Sequence, residues 1–265
     1  MSNGFETARA QELTRAIIES FESNAAAVIC FSLQASVADI GELSSALSSE
    51  EIVRSDRFRV PAIGQRFVIC RGRLRLILAA LLEVPPSEIR FQMGVWGKPY
   101  LSRDHGLPLQ FNVSHSASTA CIAFAKDQLI GVDVEQIQNV ANASVLAAEV
   151  LSAEEKINWE QLTPDRQKVA LLHTWVGKES LLKGLGIGVA GHMKDIELGY
   201  QIGMEQTACV INEGIVRLAA SDPLSGISTK ARFQKWSMSC RETLPHHCLA
   251  IAQPSDRNDF TVHTW

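Results

Sequence analysis

The chain has 265 residues, of which 46% are hydrophobic and 20% charged, a composition typical of globular proteins with one or two domains. No stretch approaches the roughly 20 apolar residues of a membrane span, and the first residues lack the basic-then-apolar order of a signal peptide. A net charge of −4 and a pI near 6.0 argue against a general nucleic-acid binder. We therefore expect a cytoplasmic protein that binds neither membranes nor nucleic acid.

Helix and strand patterns occur in two successive sets. The first set comprises a strand at 26–33, helices at 44–58 and 65–82, and strands at 91–95, 110–114 and 119–126. A hairpin turn at 126–128 leads to a strand at 129–135. The second set comprises helices at 145–159 and 165–185 and strands at 195–198, 208–211, 215–218, 233–240 and 248–252. We expect two halves that meet near residues 127–131, with ligands bound in the cleft between them.

Residues 51–98 are basic although the chain as a whole is acidic. They hold nine basic and four acidic residues, a net charge of +5, which leaves −9 for the rest of the chain. A phosphate group or an acidic protein surface would be attracted to such a segment. A solvated helix face is the alternative, because the arginines lie mostly off the apolar stripe of residues 65–82.

Two carboxylates share one face of the strand predicted at 129–135. Alternation places Asp133 and Glu135 on one face and the apolar side chains on the other. Carboxylates this close raise each other's pKa unless a cation lies between them. Mg²⁺ binds one or two carboxylates together with phosphate oxygens. A strand end with solvated acids explains this segment equally well when it is taken alone.

The helix predicted at 165–185 carries Trp175, Glu179 and Lys183 at intervals of four residues, so the three share one face. An ordinary Glu–Lys helix pair is one interpretation. If this face is directed at Asp133 and Glu135, Glu179 completes a metal site or takes a proton from a hydroxyl, and Lys183 neutralises a phosphate. The glycines at 184, 186 and 188 indicate the end of the helix rather than a nucleotide-binding loop.

Two further motifs carry polar groups suited to a nucleotide. Ser114 and His115 end a predicted strand and could bind phosphate, or the histidine could be structural. No G-x-S-x-G elbow is present, which argues against a serine hydrolase. The turn containing Lys98 and Pro99 suits a bound base or ribose as well as it suits a plain turn.

The six cysteines, at positions 30, 70, 121, 209, 240 and 248, form no CxxC pair and show no metal-ligand spacing. We expect them to be thiols, with neither a disulfide nor a zinc site.

The order GKP, NVSHS, GVDVE and W-x-x-KES-x-x-K resembles the Sfp-type 4′-phosphopantetheinyl transferases, which move the phosphopantetheine arm of coenzyme A onto a serine of carrier proteins. The resemblance extends from residue 54 to residue 198. It implies an α+β fold that is a pseudo-dimer of two similar α/β halves. Residues 1–128 would form the basic half that contacts coenzyme A, and residues 129–265 the half that carries the metal-binding and catalytic residues.

The resemblance also implies a role for each motif residue. One position departs from it, because Glu51 stands where some members have a basic residue of the 3′-phosphate clamp, and Arg57 or Arg71 would have to substitute. The implied roles are metal binding for Asp133, Glu135 and Glu179; catalysis for Glu179 and Lys183; phosphate binding for Lys183, Ser114 and His115; adenine contact for Lys98 and Pro99; and 3′-phosphate binding for Arg54 and Arg66.

The implied reaction is attack of a carrier serine on the β-phosphate of Mg²⁺-bound coenzyme A, with release of 3′,5′-ADP. The partner would be an acyl or peptidyl carrier protein with an acidic face, and the chain would act as a monomer. Two alternatives stay open from the residues: a non-catalytic module that binds coenzyme A or a carrier domain, and a Mg²⁺-dependent phosphohydrolase.

Overall fold

The computed structural model describes residues 4–137, 143–188, 192–198, 206–211, 236–244, 246–254 and 260–265. The helices in these residues are α1 (Phe5–Glu22), α2 (Val37–Ser45), α3 (Ser49–Asp56), α4 (Pro61–Leu82), α5 (Ala143–Val150), α6 (Ala153–Glu160) and α7 (Pro164–Leu185). The strands are β1 (Ala26–Ser32), β2 (Phe91–Met93), β3 (Pro99–Leu101), β4 (Leu109–Ser116), β5 (Thr119–Lys126), β6 (Gly131–Gln136), β7 (Ile196–Leu198), β8 (Gln206–Ile211), β9 (Trp236–Leu244), β10 (His247–Pro254) and β11 (Phe260–Thr264). None of the helices described is long and apolar enough to cross a membrane.

The first sheet has the strand order β11-β1-β5-β4. Strand β1 runs antiparallel to β5 and parallel to β11, and β4 pairs with β5 along its whole length. Helices α1, α2 and α4 share one apolar core with this sheet, in which Ile17, Ile29, Leu78 and Phe111 are buried. Helix α4 begins with Pro61, whose missing N–H costs nothing at a helix start.

The second sheet has the order β6-β10-β9-β8-β7, and all of its pairs are antiparallel. Helix α7 lies across β6 and β10, while α5 and α6 pack against α7. The predicted helix end is confirmed, because Gly186 caps α7 in the left-handed conformation with φ 77°. Each half thus joins a 22-residue helix, α4 or α7, to a mainly antiparallel sheet. The predicted α+β class with two similar halves is confirmed.

The two sheets pack face to face along a strip of buried apolar residues from β1, β5, β6 and β10. Val132 and Val134 of β6 lie in this strip and are fully buried. Because side chains alternate along a strand, Asp133 and Glu135 project to the opposite face, beneath α7. The alternation predicted for this segment is therefore confirmed.

Several predicted elements need correction. The hairpin at 126–128 is wrong, because β5 and β6 belong to different sheets and Asp127, with φ 61°, lies in the turn that connects them. The helix predicted at 44–58 is two helices, α2 and α3, and the one predicted at 145–159 is α5 and α6. In both cases a serine starts a new helix through a capping box, Ser48 with Glu51 and Ser152 with Glu155.

Elements near both chain ends were not predicted. Helix α1 precedes the first predicted strand, and β11 follows the last one and pairs with β1 of the first sheet. The strand predicted at 215–218 lies outside the described residues. The division of the chain into residues 1–128 and 129–265 stays a prediction.

Candidate functional site

At the contact between α7 and β6, the backbones of the helix and the strand approach each other closely. A Cβ atom on Gly131 would lie 1.8 Å from the carbonyl oxygen of Ser180 and 2.5 Å from the amide nitrogen of Gly184. No side chain fits at Gly131, so the helix backbone rests directly on the strand. This close approach places Glu179 and Lys183 of α7 beside the carboxylates of β6.

The Asn112–Ser116 end of β4 joins the first sheet to β6 of the second sheet through side chains. The side chains of three alternate residues at this end of β4 each accept a hydrogen bond from a backbone N–H of β6. These bonds run from Val132 to Asn112 Oδ1 (2.9 Å), from Val134 to Ser114 Oγ (3.4 Å) and from Gln136 to Ser116 Oγ (3.1 Å). The polar motif therefore fixes how the two halves meet.

The same two serine hydroxyls hold the carboxylates of β6. Ser114 Oγ donates to Asp133 Oδ1 at 2.7 Å, and Ser116 Oγ donates to Glu135 Oε2 at 2.6 Å. A carboxylate held by a hydroxyl from a neighbouring strand has little freedom to rotate. Sequence reasoning assigned Ser114 to a phosphate and gave Ser116 no role. Their common spacing of two residues with Asp133 and Glu135 was the available signal.

The ammonium group of Lys183 lies among the acidic groups. Its Nζ atom is 2.5 Å from Asp133 Oδ1, 3.2 Å from Glu179 Oε2 and 3.0 Å from Ser114 Oγ. The structure thus brings together Asp133, Glu179 and Lys183, as the shared helix face predicted, and places Glu135 next to them on β6. The positive charge of Lys183 partly neutralises the negative charge of these carboxylates.

Burial is the main cause that raises the pKa of Asp133, Glu135 and Glu179 above ordinary carboxyl values. The negative charge of Asp133 raises the pKa of Glu135 and Glu179 further, while Lys183 opposes the shift in all three groups. For Lys183 itself, burial lowers the pKa, but the charges of Asp133 and Glu179 outweigh it and raise the pKa overall. The site therefore holds more negative charge than one ammonium group satisfies.

A divalent cation fits this donor set. Asp133 Oδ2 is buried without a hydrogen-bond partner, and an unpaired buried carboxylate oxygen is costly unless a cation binds it. Three carboxylates offer the oxygen ligands that Mg²⁺ prefers. Within the described residues their ligand oxygens do not all lie within 4.8 Å of one another, so binding an ion would draw them together.

The residues assigned to coenzyme A are more scattered. His115 is exposed, and it lies close enough to Glu135 for its charge to oppose, slightly, the rise that burial causes in the pKa of that carboxyl. Arg54 and Arg66 are exposed on α3 and α4, and the Arg54 guanidinium lies 5.1 Å from the ring centre of Phe67.

The Lys98 ammonium group has a structural position. It is buried and donates to the carbonyl oxygens of Gly184 (2.9 Å) and Ile130 (3.3 Å), at the end of α7 and just before β6. Its neighbour Pro99 is half-buried at the start of β3. The amine of Lys98 therefore connects the β2–β3 hairpin to the second half, which sequence spacing did not indicate.

Glu51, where the sequence departs from the family pattern, is neutralised by arginines of α4. Its carboxylate lies 2.5 Å from Arg75 Nε and 3.4 Å from Arg71 Nε. Arg71 Nη1 is buried without a hydrogen-bond partner, and its guanidinium lies 4.8 Å from the Phe91 ring centre. Of the two arginines considered as substitutes in the phosphate clamp, Arg57 is exposed and Arg71 is half-buried.

A buried ion pair anchors α7 next to the site. Lys178 is fully buried, and its ammonium donates to Glu155 Oε2 (2.5 Å) and to the carbonyl oxygen of Val150 (2.8 Å). The other Glu155 oxygen accepts from the Leu198 N–H at 2.8 Å. Because Lys178 precedes Glu179, this network fixes the helix at the site. The WxxKES motif gave no indication that its lysine is structural.

Two family models match the chain. The model described as "4′-phosphopantetheinyl transferase, N-terminal" matches residues 34–127, and the model described as "4′-phosphopantetheinyl transferase superfamily" matches residues 129–224. The two matched ranges adjoin at residues 127–129, in the connection between β5 and β6.

Similar proteins carry the same description. The chain is 33% identical over 158 residues to the 4′-phosphopantetheinyl transferase HetI of Nostoc sp., covering 59% of this chain and 66% of that protein. It is 32% identical over 151 residues to a putative 4′-phosphopantetheinyl transferase of Synechocystis sp., covering 57% and 61%. The matches thus span slightly less than two thirds of these relatives. A solved holo-[acyl-carrier-protein] synthase from Neisseria meningitidis aligns with a TM-score of 0.36 and 19% identity, over 48% of this chain and 97% of that one.

Proposed function

We propose, because the chain belongs to the 4′-phosphopantetheinyl transferase superfamily, that it transfers the 4′-phosphopantetheine group of coenzyme A to a serine of an apo carrier protein. The observation that carries this proposal is the convergence of Asp133, Glu135, Glu179 and Lys183 at the contact between α7 and β6. The serine oxygen forms a bond to the β-phosphorus, and the bond from that phosphorus to the bridging oxygen breaks. The leaving group is 3′,5′-ADP.

Asp133, Glu135 and Glu179 would hold Mg²⁺, which when bound neutralises negative charge on the pyrophosphate of coenzyme A. The buried, unpaired Oδ2 atom of Asp133 supports this assignment. Ser114 and Ser116 act as positioning residues, because their hydroxyls orient Asp133 and Glu135. Charge stabilisation at the pyrophosphate supplies most of the rate enhancement.

Glu179 takes the proton of the attacking serine, and Lys183 stabilises the departing phosphate. The raised pKa of Glu179 supports the first role, because a general base is most effective when its pKa lies near the working pH. Lys183 supports the second, because its raised pKa keeps the amine protonated above neutral pH. Both groups are partly exposed and so accessible to substrates.

The first half, residues 1–128, whose segment 51–98 is basic, binds the nucleotide end of coenzyme A. Arg54 and Arg66 bind the 3′-phosphate and His115 binds the pyrophosphate, since all three are exposed. Pro99 and the backbone beside Lys98 contact the adenine, because the Lys98 amine is already bonded to two carbonyls. The positive charge of residues 51–98 favours approach of an acidic carrier. The chain acts as a monomer in the cytoplasm.

Carrier-dependent release of 3′,5′-ADP tests this function. The chain is incubated with coenzyme A and Mg²⁺, with and without an apo acyl or peptidyl carrier protein, and the nucleotide is measured by chromatography. We expect 3′,5′-ADP in an amount equal to the carrier, and none without it. Nucleotide release without a carrier would instead indicate a phosphohydrolase. Coenzyme A binding with no release, across several unrelated carriers, would indicate a binding module.

A further inference from the structure

A second group of ligand-type side chains lies beneath α7, separate from the carboxylates. His173 on α7, Cys240 on β9 and Cys248 on β10 each present one ligand atom, and these three atoms all lie within 4.8 Å of one another. Among the residues that the structure describes, no other set of three or more histidine, cysteine or acidic side chains has its ligand atoms this close together. We propose that these three residues bind one Zn²⁺ ion.

The two thiols lie close enough together to bind the same metal ion. Cys240 Sγ and Cys248 Sγ are 2.8 Å apart, and His173 hydrogen-bonds to the Cys248 thiol. In a tetrahedral zinc site with Zn–S bonds of about 2.3 Å, the two sulfurs lie roughly 3.8 Å apart. A small outward rotation of both side chains therefore admits the ion. Three protein ligands would leave one position for water, as in Cys₂His zinc sites.

The strand backbone is irregular at the position that supplies Cys248. The pairing of β10 with β9 shifts register between His247 and Leu249, so the single β10 residue Cys248 lies opposite two residues of β9. Such irregularities redirect a side chain and are frequent beside functional sites. The opposite neighbour of Cys248 on β6 is Glu135, and directly opposed residues project to the same face of a sheet. The proposed zinc site therefore shares the face on which the carboxylate site lies.

The surroundings favour a soft cation over Mg²⁺. The cysteines lie with Val176 and Ala250 in a small apolar cluster that includes Leu172 and Trp175. Sulfur and imidazole ligands select Zn²⁺, whereas oxygen ligands suit Mg²⁺. Hydrogen bonding to Cys240 and burial raise the pKa of the Cys248 thiol in the metal-free chain, so zinc binding releases protons. The two sites are thus selective for different ions.

A bound zinc ion would connect α7 to the β9–β10 pair at His173, about 1.7 helical turns before Glu179 on the same helix. The proposal differs from the sequence-based expectation of no zinc site, which rested on the spacing of the cysteines along the chain. That spacing carries no signal of this group, because the three ligands come from three elements that only the fold brings together. The site does not depend on the proposed transferase activity.

Zinc titration of the stripped, reduced chain tests the proposal. After removal of metals with a chelator, Zn²⁺ is titrated in competition with a chromophoric chelator in the presence of excess Mg²⁺. We expect one tightly bound equivalent. Co²⁺ in place of zinc should give the thiolate-to-cobalt absorption band in the near ultraviolet. Zinc should also raise the melting temperature of the full chain.

Matched variants assign the ligands. Cys240→Ala and His173→Ala alter half-buried positions and should lower zinc affinity by at least about tenfold, with the cobalt band weakened in Cys240→Ala because one thiolate remains. Cys30→Ala is the control, because Cys30 also lies beside a second thiol, Cys121 Sγ at 3.1 Å, and should leave zinc binding unchanged. Asp133→Asn should also retain the zinc site, which separates this proposal from the transferase site.

Two results would overturn the proposal. One is zinc binding that is equal in the wild type and in Cys240→Ala. The other is a chain that binds no zinc, including one about 2 Da lighter than its reduced mass because Cys240 and Cys248 form a disulfide.

Discussion

Asp133→Asn is expected to lower the rate of carrier-dependent 3′,5′-ADP release by at least about a hundredfold to a thousandfold, the loss typical when one charge-stabilising group is removed. Asparagine keeps the shape of the side chain and an oxygen that accepts from Ser114 and Lys183. It lacks the negative charge that a cation requires, and it replaces the buried, unpaired Oδ2 atom. Initial rates at saturating coenzyme A and Mg²⁺ measure the loss.

Asp127→Asn is the matched control for this variant. Asp127 is exposed in the turn before β6, at φ 61°, a conformation that asparagine adopts readily. Asp127→Asn removes one negative charge, as Asp133→Asn does, and should retain full activity. Full activity of Asp133→Asn would contradict the proposed role of the Asp133 carboxylate in binding the metal ion.

The melting temperature of Asp133→Asn separates catalysis from folding. Because burial raises the folded-state pKa of Asp133, its ionised form destabilises the fold at pH values above that pKa. Removing this charge should therefore leave the melting temperature at pH 7 unchanged or higher. A large fall would mean that the carboxylate is needed mainly for folding.

Gly131→Ala is expected to lower the free energy of unfolding by more than about 3 kcal/mol, the upper part of the range for overpacking. The added Cβ would lie 1.8 Å from the Ser180 carbonyl oxygen, and backbone atoms cannot rotate away as a side chain can. Helix α7 must then move off β6, which separates Glu179 and Lys183 from Asp133. Chemical denaturation measures the stability, and 3′,5′-ADP release the activity.

Gly41→Ala provides the same substitution where space is open. Gly41 lies within α2, and a Cβ there meets no atom within 4 Å. Alanine in a helix interior should raise stability by roughly 0.5–1 kcal/mol, with activity unchanged. Equal stability of Gly131→Ala and the wild type would show that α7 does not rest on β6 as described.

Features set by local periodicity were predictable from the sequence. Strand alternation placed Asp133 and Glu135 on one face, and helix periodicity placed Glu179 and Lys183 on one face. The end of α7 at Gly186 was predictable because glycine favours the left-handed cap. A three-residue turn with Asp127 is compatible with a hairpin or with a change of sheet, so local sequence could not decide between them.

Features that depend on tertiary contacts were not predictable. Ser116 and Lys98 act on residues of other elements. The two-residue spacing of Ser114 and Ser116 matches that of Asp133 and Glu135 but does not identify them as partners, and the partners of Lys98 are carbonyl groups that any sequence offers. The separation of α2 from α3 and of α5 from α6 did carry a local signal, the serine and glutamate of each capping box. The apolar periodicity on both sides of each box obscured it.

The intact mass of an apo carrier protein after incubation with this chain, coenzyme A and Mg²⁺ tests the central claim most directly. We expect the carrier to gain the mass of one phosphopantetheine group, and fragmentation to place that group on its serine. The gain should disappear with a serine-to-alanine carrier, with a chelator and with Glu179→Gln. An unchanged carrier mass across several unrelated carriers, or an equal gain with Glu179→Gln, would contradict the account.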